Sequence, residues 1–403
     1  MEFSMNILVI NAGSSSVKYK LFQMEYEKLL AEGMVDRISL NGSNLIHKPT
    51  GKPDIKVTID IPNYETALSM VMNALTNADH GVIKSPKDIS AIGHRVVHGG
   101  EKILSSVLIT DEVENIIREC FDLAPLHNPP NMMGIQACKK LLPHTKQIAV
   151  FDTAFHRTMP ESAYLYAIPY RLYEEYSIRR YGFHGTSHRY VANISAELLG
   201  QPLEKLKMVT CHLGNGCSIT AVKEGKSVDT SMGFTPLEGL IMGTRSGDID
   251  PAIVFYLMER LGLNVQEINS MLNRESGLWG LSGISSDMRD ILKSAGEGNE
   301  RAITTINCFV YRIRKYIGAY SASMGGLDAV VFTAGIGENQ SMIRAKACQG
   351  LEFLGLSIDE DRNSNGQRKK IISTDDSRVK VLVIPTNEEL LIARDTADIY
   401  LNQ

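Results

Sequence analysis

The sequence lacks the features that mark membrane, secreted and nucleic-acid-binding proteins. No stretch of about 18 residues is free of Asp, Glu, Lys and Arg, which excludes a membrane-spanning helix. The first residues, MEFSMN, have neither the basic nor the apolar region of a signal peptide. A net charge of -4 provides no basic field for nucleic acid or for an anionic membrane. We therefore expect a cytoplasmic protein that binds neither nucleic acid nor membrane.

Paired cysteines and linkers are also missing. The 6 cysteines include no C-x-x-C pair, which argues against a zinc ribbon or a thioredoxin-like motif and favours free, mostly structural thiols. No Pro-rich or Gly/Ser-rich segment separates parts of the chain. The composition is that of a globular protein, with 43% hydrophobic and 22% charged residues. A length of 403 residues predicts two or three domains.

Short β-branched runs alternate with longer segments of helical period, which is the pattern of an α/β fold. Apolar stripes predict helices over 65–78 and 301–324. The predicted strands are 6–10, 17–22, 91–97, 147–151, 207–212, 218–223, 329–333 and 379–384.

Two helix starts have end signals. Asp250-Pro251 predicts a helix that Gly262 ends. Thr386-x-x-Glu389 predicts a capping box that opens a helix over about 387–399.

A faint internal repeat relates the two halves of the chain. Segments 6–18 (NILVINAGSSSVK) and 207–219 (KMVTCHLGNGCSI) both have a predicted strand, a turn of small residues and a second strand. The repeat predicts two halves that each open with a β-turn-β unit.

Three turns of small residues follow predicted strands, at Asn11 to Lys18, His212 to Gly216 and Gly335 to Asn339. Hydroxyls and exposed backbone N–H groups are the donors that phosphate oxygens require. The P-loop spacing G-x-x-x-x-G-K-[ST] is absent, so the first turn would be a hairpin type of phosphate clamp. A plain polar hairpin is the alternative interpretation of each turn taken alone.

Five charged or titratable residues stand beside these elements. Arg95, Asp152, His184, Arg245 and Glu388 all lie at the end of a predicted strand or at the start of a predicted helix. Surface ion pairs, loop caps and a helix-dipole carboxylate are the alternative interpretations. His184 and His188 have the spacing H-x-x-x-H, but the Glu of a zincin is missing, so we exclude a metal pair. Together these residues favour phosphoryl transfer, which needs cations and donors around the moving group, with Mg²⁺ held by one or two carboxylates and phosphates.

The sequence resembles the acetokinase family from end to end. The segments that carry the resemblance are NILVINAGSSSVKYKLF, AIGHRVVHGGE, LAPLHNPPN, AVFDTAFH, RRYGFHGTSHRYV, HLGNGCSI, DTSMGFTPLEGLIMGTRSGDIDP, SSDMRDI, FTAGIGEN and IPTNEELLIARDT. The resemblance implies a duplicated, ribonuclease H-like (actin-like ATPase) fold with βββαβαβα in each half and ATP in the cleft between domains. It implies an N-terminal domain over 1–153, completed by a helix over 387–403, a nucleotide-binding domain over 154–386, and a homodimer.

The resemblance also implies a role for each candidate residue. Arg95 would bind the carboxylate or acetyl phosphate, Asp152 would be the catalytic acid, and His184 and Arg245 would stabilise the moving phosphoryl group beside His127. Asn11 and Glu388 would hold Mg²⁺ (or Mn²⁺). Val97, Leu126, Phe183 and Pro236 would form the acyl pocket. The ATP-binding residues would be Lys18, His212, Leu213, Gly214, Asn215, Gly216, Asp287, Met288, Arg289, Gly335, Ile336, Gly337, Glu338 and Asn339.

The expected activity is reversible, Mg²⁺-dependent transfer of the ATP γ-phosphoryl group to acetate, giving acetyl phosphate and ADP. We expect direct in-line transfer without a phospho-enzyme, because no nucleophile with its own base stands out. A propionate or other short-chain acyl kinase is one alternative, and one methylene is worth only about 1–3 kcal/mol in such a pocket. A non-enzymatic, actin-like ATP switch is the second.

Overall fold

The computed structural model describes residues 4–367 and 369–402. Contacts between Cα atoms divide the chain into two compact units: unit 1 runs up to Phe155 and resumes at Asn387, and unit 2 comprises His156–Thr386. Residues 1–3 of the predicted N-terminal domain and residue 403 of the predicted last helix lie outside the described residues.

Unit 1 is an α/β unit on one eight-stranded sheet. Its elements are β1 (Asn6–Gly13), β2 (Ser16–Gln23), β3 (Lys28–Asp36), β4 (Asn44–Pro49), β5 (Ile55–Thr58), α1 (Tyr64–Thr76), a 3₁₀ helix (Pro86–Asp88), β6 (Ile89–Val96), β7 (Val107–Leu108), α2 (Asp111–Glu119), α3 (Asn128–Leu141) and β8 (Lys146–Phe151). The strand order is β5-β4-β3-β2-β1-β6-β8-β7. β1 pairs antiparallel with β2 and parallel with β6, which pairs parallel with β8.

The apolar stripes place helices on this sheet as predicted. Leu68, Val71 and Leu75 on α1 are fully buried and pack in one core cluster with Leu8 and Ile10 of β1. Asn63 caps α1 by accepting a hydrogen bond from Thr66 N at 2.9 Å. Truncating one of these leucines to Ala would cost about 3 kcal/mol of unfolding free energy.

Unit 2 carries a second sheet and more helices. Its elements are a 3₁₀ helix (Ala154–Thr158, which begins at the end of unit 1), α4 (Glu161–Tyr164), α5 (Arg171–Tyr176), α6 (Gly185–Leu199), a 3₁₀ helix (Leu203–Lys205), β9 (Lys207–Leu213), β10 (Cys217–Lys223), β11 (Lys226–Thr230), α7 (Ala252–Leu261), α8 (Val265–Arg274), α9 (Gly277–Ser282), α10 (Met288–Gly296), α11 (Glu300–Met324), β12 (Ala329–Thr333), α12 (Ala334–Asn339), α13 (Ser341–Cys348), a 3₁₀ helix (Glu352–Leu354), α14 (Glu360–Ser364), β13 (Lys370–Ile371) and β14 (Lys380–Val383). The chain then returns to unit 1 with α15 (Glu388–Leu401).

The second sheet repeats the plan of the first. Its strand order is β11-β10-β9-β12-β14-β13, with β9 antiparallel to β10 and parallel to β12. In each sheet an antiparallel hairpin (β1-β2 or β9-β10) has its first strand paired parallel with a later strand (β6 or β12). This confirms the predicted α/β class and the duplication that the repeat indicated.

Two local predictions differ from the structure. The capping box at Thr386 is wrong, because Asn387 is the N-cap of α15 and accepts from Leu390 N at 3.2 Å, whereas the Thr386 hydroxyl lies 2.8 Å from Ser187 Oγ. The small-residue segment from Gly335 is not an open turn but belongs to α12. Among the described residues, no helix has the length and apolar character that crossing a membrane requires.

Candidate active site

In unit 1, three of the candidate residues meet where β6 and β8 end. Arg95 Nε donates to Asp152 Oδ1 at 3.1 Å and Arg95 Nη2 donates to Asp152 Oδ2 at 2.5 Å. Glu388, the first residue of α15, places Oε2 3.7 Å from Arg95 Nε. Asp152 is buried, while the Arg95 side chain keeps 23% of its surface exposed. Ligand sites in α/β folds typically lie at the carboxyl ends of parallel strands, where this cation and its two carboxylates are placed.

The electrostatics keep Arg95 charged. Burial acts to lower the pKa of Arg95, but the nearby carboxylates of Asp152 and Glu388 outweigh burial and raise it. The guanidinium therefore remains available as a fixed positive charge for an anion.

Two buried amides, which the sequence analysis missed, hold the backbone around this pair. Asn131 Oδ1 accepts from Val97 N at 3.1 Å, and Asn131 Nδ2 donates to Ala12 O at 2.7 Å. Asn128 Oδ1 accepts from His98 N at 3.0 Å, and Asn128 Nδ2 donates to His98 O at 2.9 Å. They join the first turn of α3 to the residues after β6 and to the end of β1. The motif LHNPPN was the available signal, because both residues lie in it.

The other acyl-pocket and phosphoryl residues of unit 1 occupy different environments. Val97 is buried, whereas Leu126 exposes 65% of its surface on the loop before α3. His127 occupies the N-cap position of α3.

The first predicted phosphate turn is a hairpin, as expected. Asn11 on β1 stands opposite Lys18 on β2. Both line a cavity of about 220 Å³, which Lys20 and Glu389 also line. Asn11 and Glu388 offer oxygen donors, which suit Mg²⁺, and one carboxylate is enough when phosphates supply the rest. Their chemistry therefore fits the predicted cation.

In unit 2, His184 and Arg245 converge beside Gly216. A methyl group placed on Gly216 would lie 2.8 Å from Arg245 Nη2 and 3.5 Å from His184 Nε2. Only glycine leaves this space open, so both side chains reach one point at the start of β10. Arg245 Nη1 donates to Pro236 O at 2.6 Å, which orients the guanidinium. Burial lowers the pKa of Arg245.

His184 is held in an unusual backbone conformation. Its φ of 57° lies in the left-handed region, and it is the N-cap residue of α6. Such a conformation in a residue other than glycine costs about 1–3 kcal/mol and is concentrated at functional sites. The ring stacks on His212 with centroids 4.2 Å apart, and its Nδ1 lies 2.9 Å from Ser218 Oγ. Phe183, the residue before His184, is buried.

A charged clamp that the sequence analysis missed supports the loop around Pro236. Glu238 accepts from Arg180 Nη2 at 2.6 Å and from the Tyr166 hydroxyl, and that hydroxyl accepts from Phe234 N at 2.9 Å. The signal was Glu238 itself, which lies between Pro236 and Arg245 in one of the quoted motifs.

A cavity of about 780 Å³ brings the three predicted nucleotide segments together. Pocket volumes of about 300–1,000 Å³ are typical of small-molecule sites. Asp287 is the N-cap of α10, and its Oδ2 accepts from Arg289 Nη2 at 2.5 Å. This ion pair holds two of the side chains that line the cavity. The lining residues are Gly214, Asn215, Ser286, Asp287, Met288, Arg289, Gly335, Ile336, Asn339 and Gln340.

The remaining nucleotide candidates lie in the framework around this cavity. Leu213 is fully buried, and a methyl group placed on Gly337 would lie 3.6 Å from Cys211 O. Glu338 Oε1 accepts from Ala334 N at 2.9 Å and from Thr386 N at 3.2 Å, so it ties α12 to the chain beyond β14. His212 Nδ1 lies 2.8 Å from Ser187 Oγ.

Comparison with known proteins gives a match over almost the whole chain. The family model described as the acetokinase family matches residues 6–394. The acetate kinase of Thermotoga maritima is 58% identical over 398 residues, which covers 98% of this chain and 98% of that protein.

Solved structures agree with this match. The crystal structure of Porphyromonas gingivalis acetate kinase has a TM-score of 0.95 at 48% identity, covering 98% of this chain and 100% of that one. A propionate kinase from Francisella tularensis subsp. tularensis SCHU S4 has a TM-score of 0.91 at 44% identity, with the same coverage. The fold of the chain is therefore that of the actin-like ATPases, as the resemblance implied.

Proposed function

This chain belongs to the acetokinase family, and we propose that it is an acetate kinase whose charged residues transfer the γ-phosphoryl group of ATP to acetate in one reversible step. The observation that carries the proposal is the convergence of Arg245 Nη2 and His184 Nε2 on one point beside Gly216. A transferring phosphoryl group spreads its negative charge over three oxygens, and donors fixed in advance around it lower the barrier.

In unit 1, Arg95 binds the carboxylate of acetate. Its guanidinium has the planar, two-point geometry that it already uses toward Asp152, and a substrate carboxylate requires the same geometry. Asp152 orients Arg95 through their two-point ion pair and holds its carboxylate beside the acceptor oxygen. His127 stands beside the transferring group, with its place set by the N-terminus of α3.

In unit 2, the N-terminus of α6 adds to the positive field at His184, because unsatisfied N–H groups at a helix start favour anions. Arg245 keeps its orientation through the carbonyl of Pro236. The purine and ribose of ATP occupy the cavity lined by Asp287 to Arg289 and Gly335 to Asn339. Lys18, on the hairpin of unit 1, contributes a charge toward the phosphates.

Asn11 and Glu388 would hold Mg²⁺ through their side-chain oxygens, and the bound cation would neutralise charge on the ATP phosphates. Glu388 Oε2 also lies 3.7 Å from Arg95 Nε, so replacing Glu388 with Gln would weaken the electrostatic hold on Arg95 as well.

Acetate is the preferred acid. In unit 1, Val97 is the residue that sets the size of the acyl site, and Asn131 fixes its backbone N–H. The propionate kinase among the similar structures makes propionate the alternative. Since one methylene is worth about 1–3 kcal/mol, some turnover of propionate is expected.

The protein acts as a homodimer in the cytoplasm. Helix α7 has no buried residue in the single chain and exposes 63% of Phe255, 60% of Tyr256 and 64% of Leu261. An apolar helix face of this kind is covered in oligomers, and a second copy of the chain is its partner. All six cysteines are free thiols, which persist in a reducing compartment. Phe255→Glu with Leu261→Glu should give a monomer in sedimentation velocity, and an unchanged dimer would contradict the interface.

The test is an acyl phosphate assay with hydroxylamine, MgATP and acetate, propionate or butyrate in separate reactions. We expect acetate to give product with a kcat/KM at least several-fold above that of propionate. Equal or higher kcat/KM for propionate would favour the alternative substrate. Hydrolysis of ATP without acyl phosphate from any acid would contradict the proposal and favour a nucleotide switch.

A further inference from the structure

A chain of three buried side chains runs through the interior of unit 2 to His184. His184 Nδ1 lies 2.9 Å from Ser218 Oγ, and Ser218 Oγ lies 2.7 Å from His188 Nε2. His188 Nδ1 lies 2.7 Å from Thr210 Oγ1. Thr210, His188 and Ser218 are each fully buried, and we call them the relay.

The relay has few protons to share among its four hydrogen bonding groups. A hydroxyl donates one proton, and a neutral imidazole has one N–H and one acceptor nitrogen. Burial lowers the pKa of His188 well below its usual value, and His156 and His212 add to this, so His188 is neutral. The single proton of Ser218 can go to only one of the two histidines that contact it.

Of the proton arrangements that satisfy these three contacts, only one places the proton of a neutral His184 on Nε2. In the outward arrangement, Thr210 donates to His188, His188 donates to Ser218, and Ser218 donates to His184 Nδ1. The proton of a neutral His184 is then on Nε2. In the inward arrangement every bond is reversed, Thr210 donates instead to Thr220 O at 3.4 Å, and His184 Nδ1 holds the proton.

The surroundings of His184 distinguish these arrangements. Its Cε1–Nε2 edge faces the point beside Gly216 that Arg245 Nη2 also reaches, His212 stacks on its ring, and His156 lies behind His188 with ring centroids 5.8 Å apart. In the inward arrangement Nε2 would present a lone pair to an anionic phosphoryl group unless the ring took a second proton. The nearby guanidinium of Arg245 opposes that second positive charge.

We propose that the relay holds His184 as a neutral imidazole with its proton on Nε2, so that it donates to the phosphoryl group without having to be charged. The inference rests on the proposed role of His184 in phosphoryl transfer. Ser218, His188 and Thr210 are positioning residues, because each acts through His184. The donor then keeps its proton across the neutral pH range, where a free histidine loses its charge at about pH 6.5.

The first test observes the proton directly. Selective ¹⁵N labelling of histidine and two-bond ¹H–¹⁵N correlation spectra of the whole protein identify the tautomer of each ring, and His184→Gln assigns the signal. We expect the Nε2–H form for His184 between pH 6.5 and 8.5. Ser218→Ala should convert His184 to a mixture of tautomers, and Ser218→Thr, which keeps the hydroxyl, should restore the Nε2–H form.

The second test measures kcat against pH. In Ser218→Ala the neutral His184 ring is a mixture of tautomers, and only part of it carries a proton on Nε2. The doubly protonated ring always carries that proton, so the kcat of this variant should be higher at low pH. The ratio of its kcat to that of the parent should fall by about tenfold between pH 6 and pH 8.5, whereas a merely structural loss gives a ratio independent of pH. Thr210→Val breaks the far end of the relay and should move the profile in the same direction. Ser195→Ala is the matched control, since Ser195 is a buried serine of α6 that bonds to Val191 O.

The outcomes separate this inference from the proposed function. An Nδ1–H signal for His184 in the parent, or identical tautomers and pH profiles in Ser218→Ala and Thr210→Val, would overturn the relay. Full kcat in His184→Ala would overturn the role of His184, whatever the spectrum shows.

Discussion

The guanidinium of Arg95 and the carboxylate of Asp152 form a two-point ion pair, 3.1 Å from Nε to Oδ1 and 2.5 Å from Nη2 to Oδ2. The register of β6 and β8 makes these two residues neighbours. Val96 pairs with Phe151, and Asp152 N donates to Val96 O at 3.0 Å. Because Arg95 lies near the end of β6 and Asp152 directly follows β8, the ion pair joins the carboxyl ends of two neighbouring parallel strands and also forms part of the site. A change in either residue should therefore affect both stability and binding.

Removal of Arg95 should show this coupling. Arg95→Ala leaves the buried Asp152 carboxylate without its guanidinium, which should cost about 3 kcal/mol of unfolding free energy and raise the KM for acetate. The double variant Arg95→Ala/Asp152→Asn should recover most of the stability but none of the activity. Urea unfolding and initial-rate kinetics measure the two effects. Equal loss of stability in the single and the double variant would contradict the coupling.

Arg245 should act mainly in the transition state. Arg245→Ala should lower kcat by about a hundredfold or more and leave the KM for acetate within a few-fold, because its donors meet charge that develops during transfer. Arg274→Ala, an exposed arginine at the end of α8, is the matched control and should retain parent kinetics. If Arg245→Ala changed only KM, its role would be ground-state binding.

The space beside Gly216 should be essential. Gly216→Ala places a methyl group 2.8 Å from Arg245 Nη2 and 3.5 Å from His184 Nε2, so the guanidinium must move. We expect kcat to fall by about a hundredfold. The control is Gly296→Ala in α10, where a methyl group meets no atom within 4 Å and should stabilise the protein by about 0.5–1 kcal/mol. Parent activity in Gly216→Ala would show that the two side chains do not need their observed positions.

Buried neutral histidines should make the protein sensitive to acid. Burial lowers the pKa of His94 and of His156 to about 4, against about 6.5 in an unfolded chain. The unfolded chain therefore binds protons first, so the stability that depends on the neutral rings is complete above pH 6.5 and is lost as the pH falls toward 4. Urea midpoints from pH 8 to pH 4 measure this, and added salt should change the slope little, since buried groups are poorly screened. A midpoint that is constant over this range would contradict it.

The sequence was sufficient for the features that depend on local pattern. The apolar stripe of α11 and the repeated strand–turn–strand units correspond to elements of the structure. These predictions succeed because the spacing of apolar residues in the sequence determines which side chains share one face of a helix or strand. Residues from two of the three small-residue segments, His212 to Gly216 and Gly335 to Asn339, line one cavity with Asp287 to Arg289, while their role in nucleotide binding stays a prediction.

The features that it missed depend on distant parts of the chain. Asn131 acts by bonding to Ala12, 119 positions earlier, and nothing near Asn131 in the sequence specifies that partner. The capping box failed for the same reason, because Ser187 competes for the Thr386 hydroxyl across 199 positions. Tertiary contacts override local signals most often where a site is assembled.

The stereochemical course at phosphorus tests the central claim most directly. ATP whose γ-phosphorus is made chiral with oxygen isotopes and sulfur is turned over once with acetate, and the configuration of the resulting acetyl thiophosphate is determined. Direct in-line transfer predicts inversion. Retention would require a second displacement through a phospho-enzyme and would contradict the account.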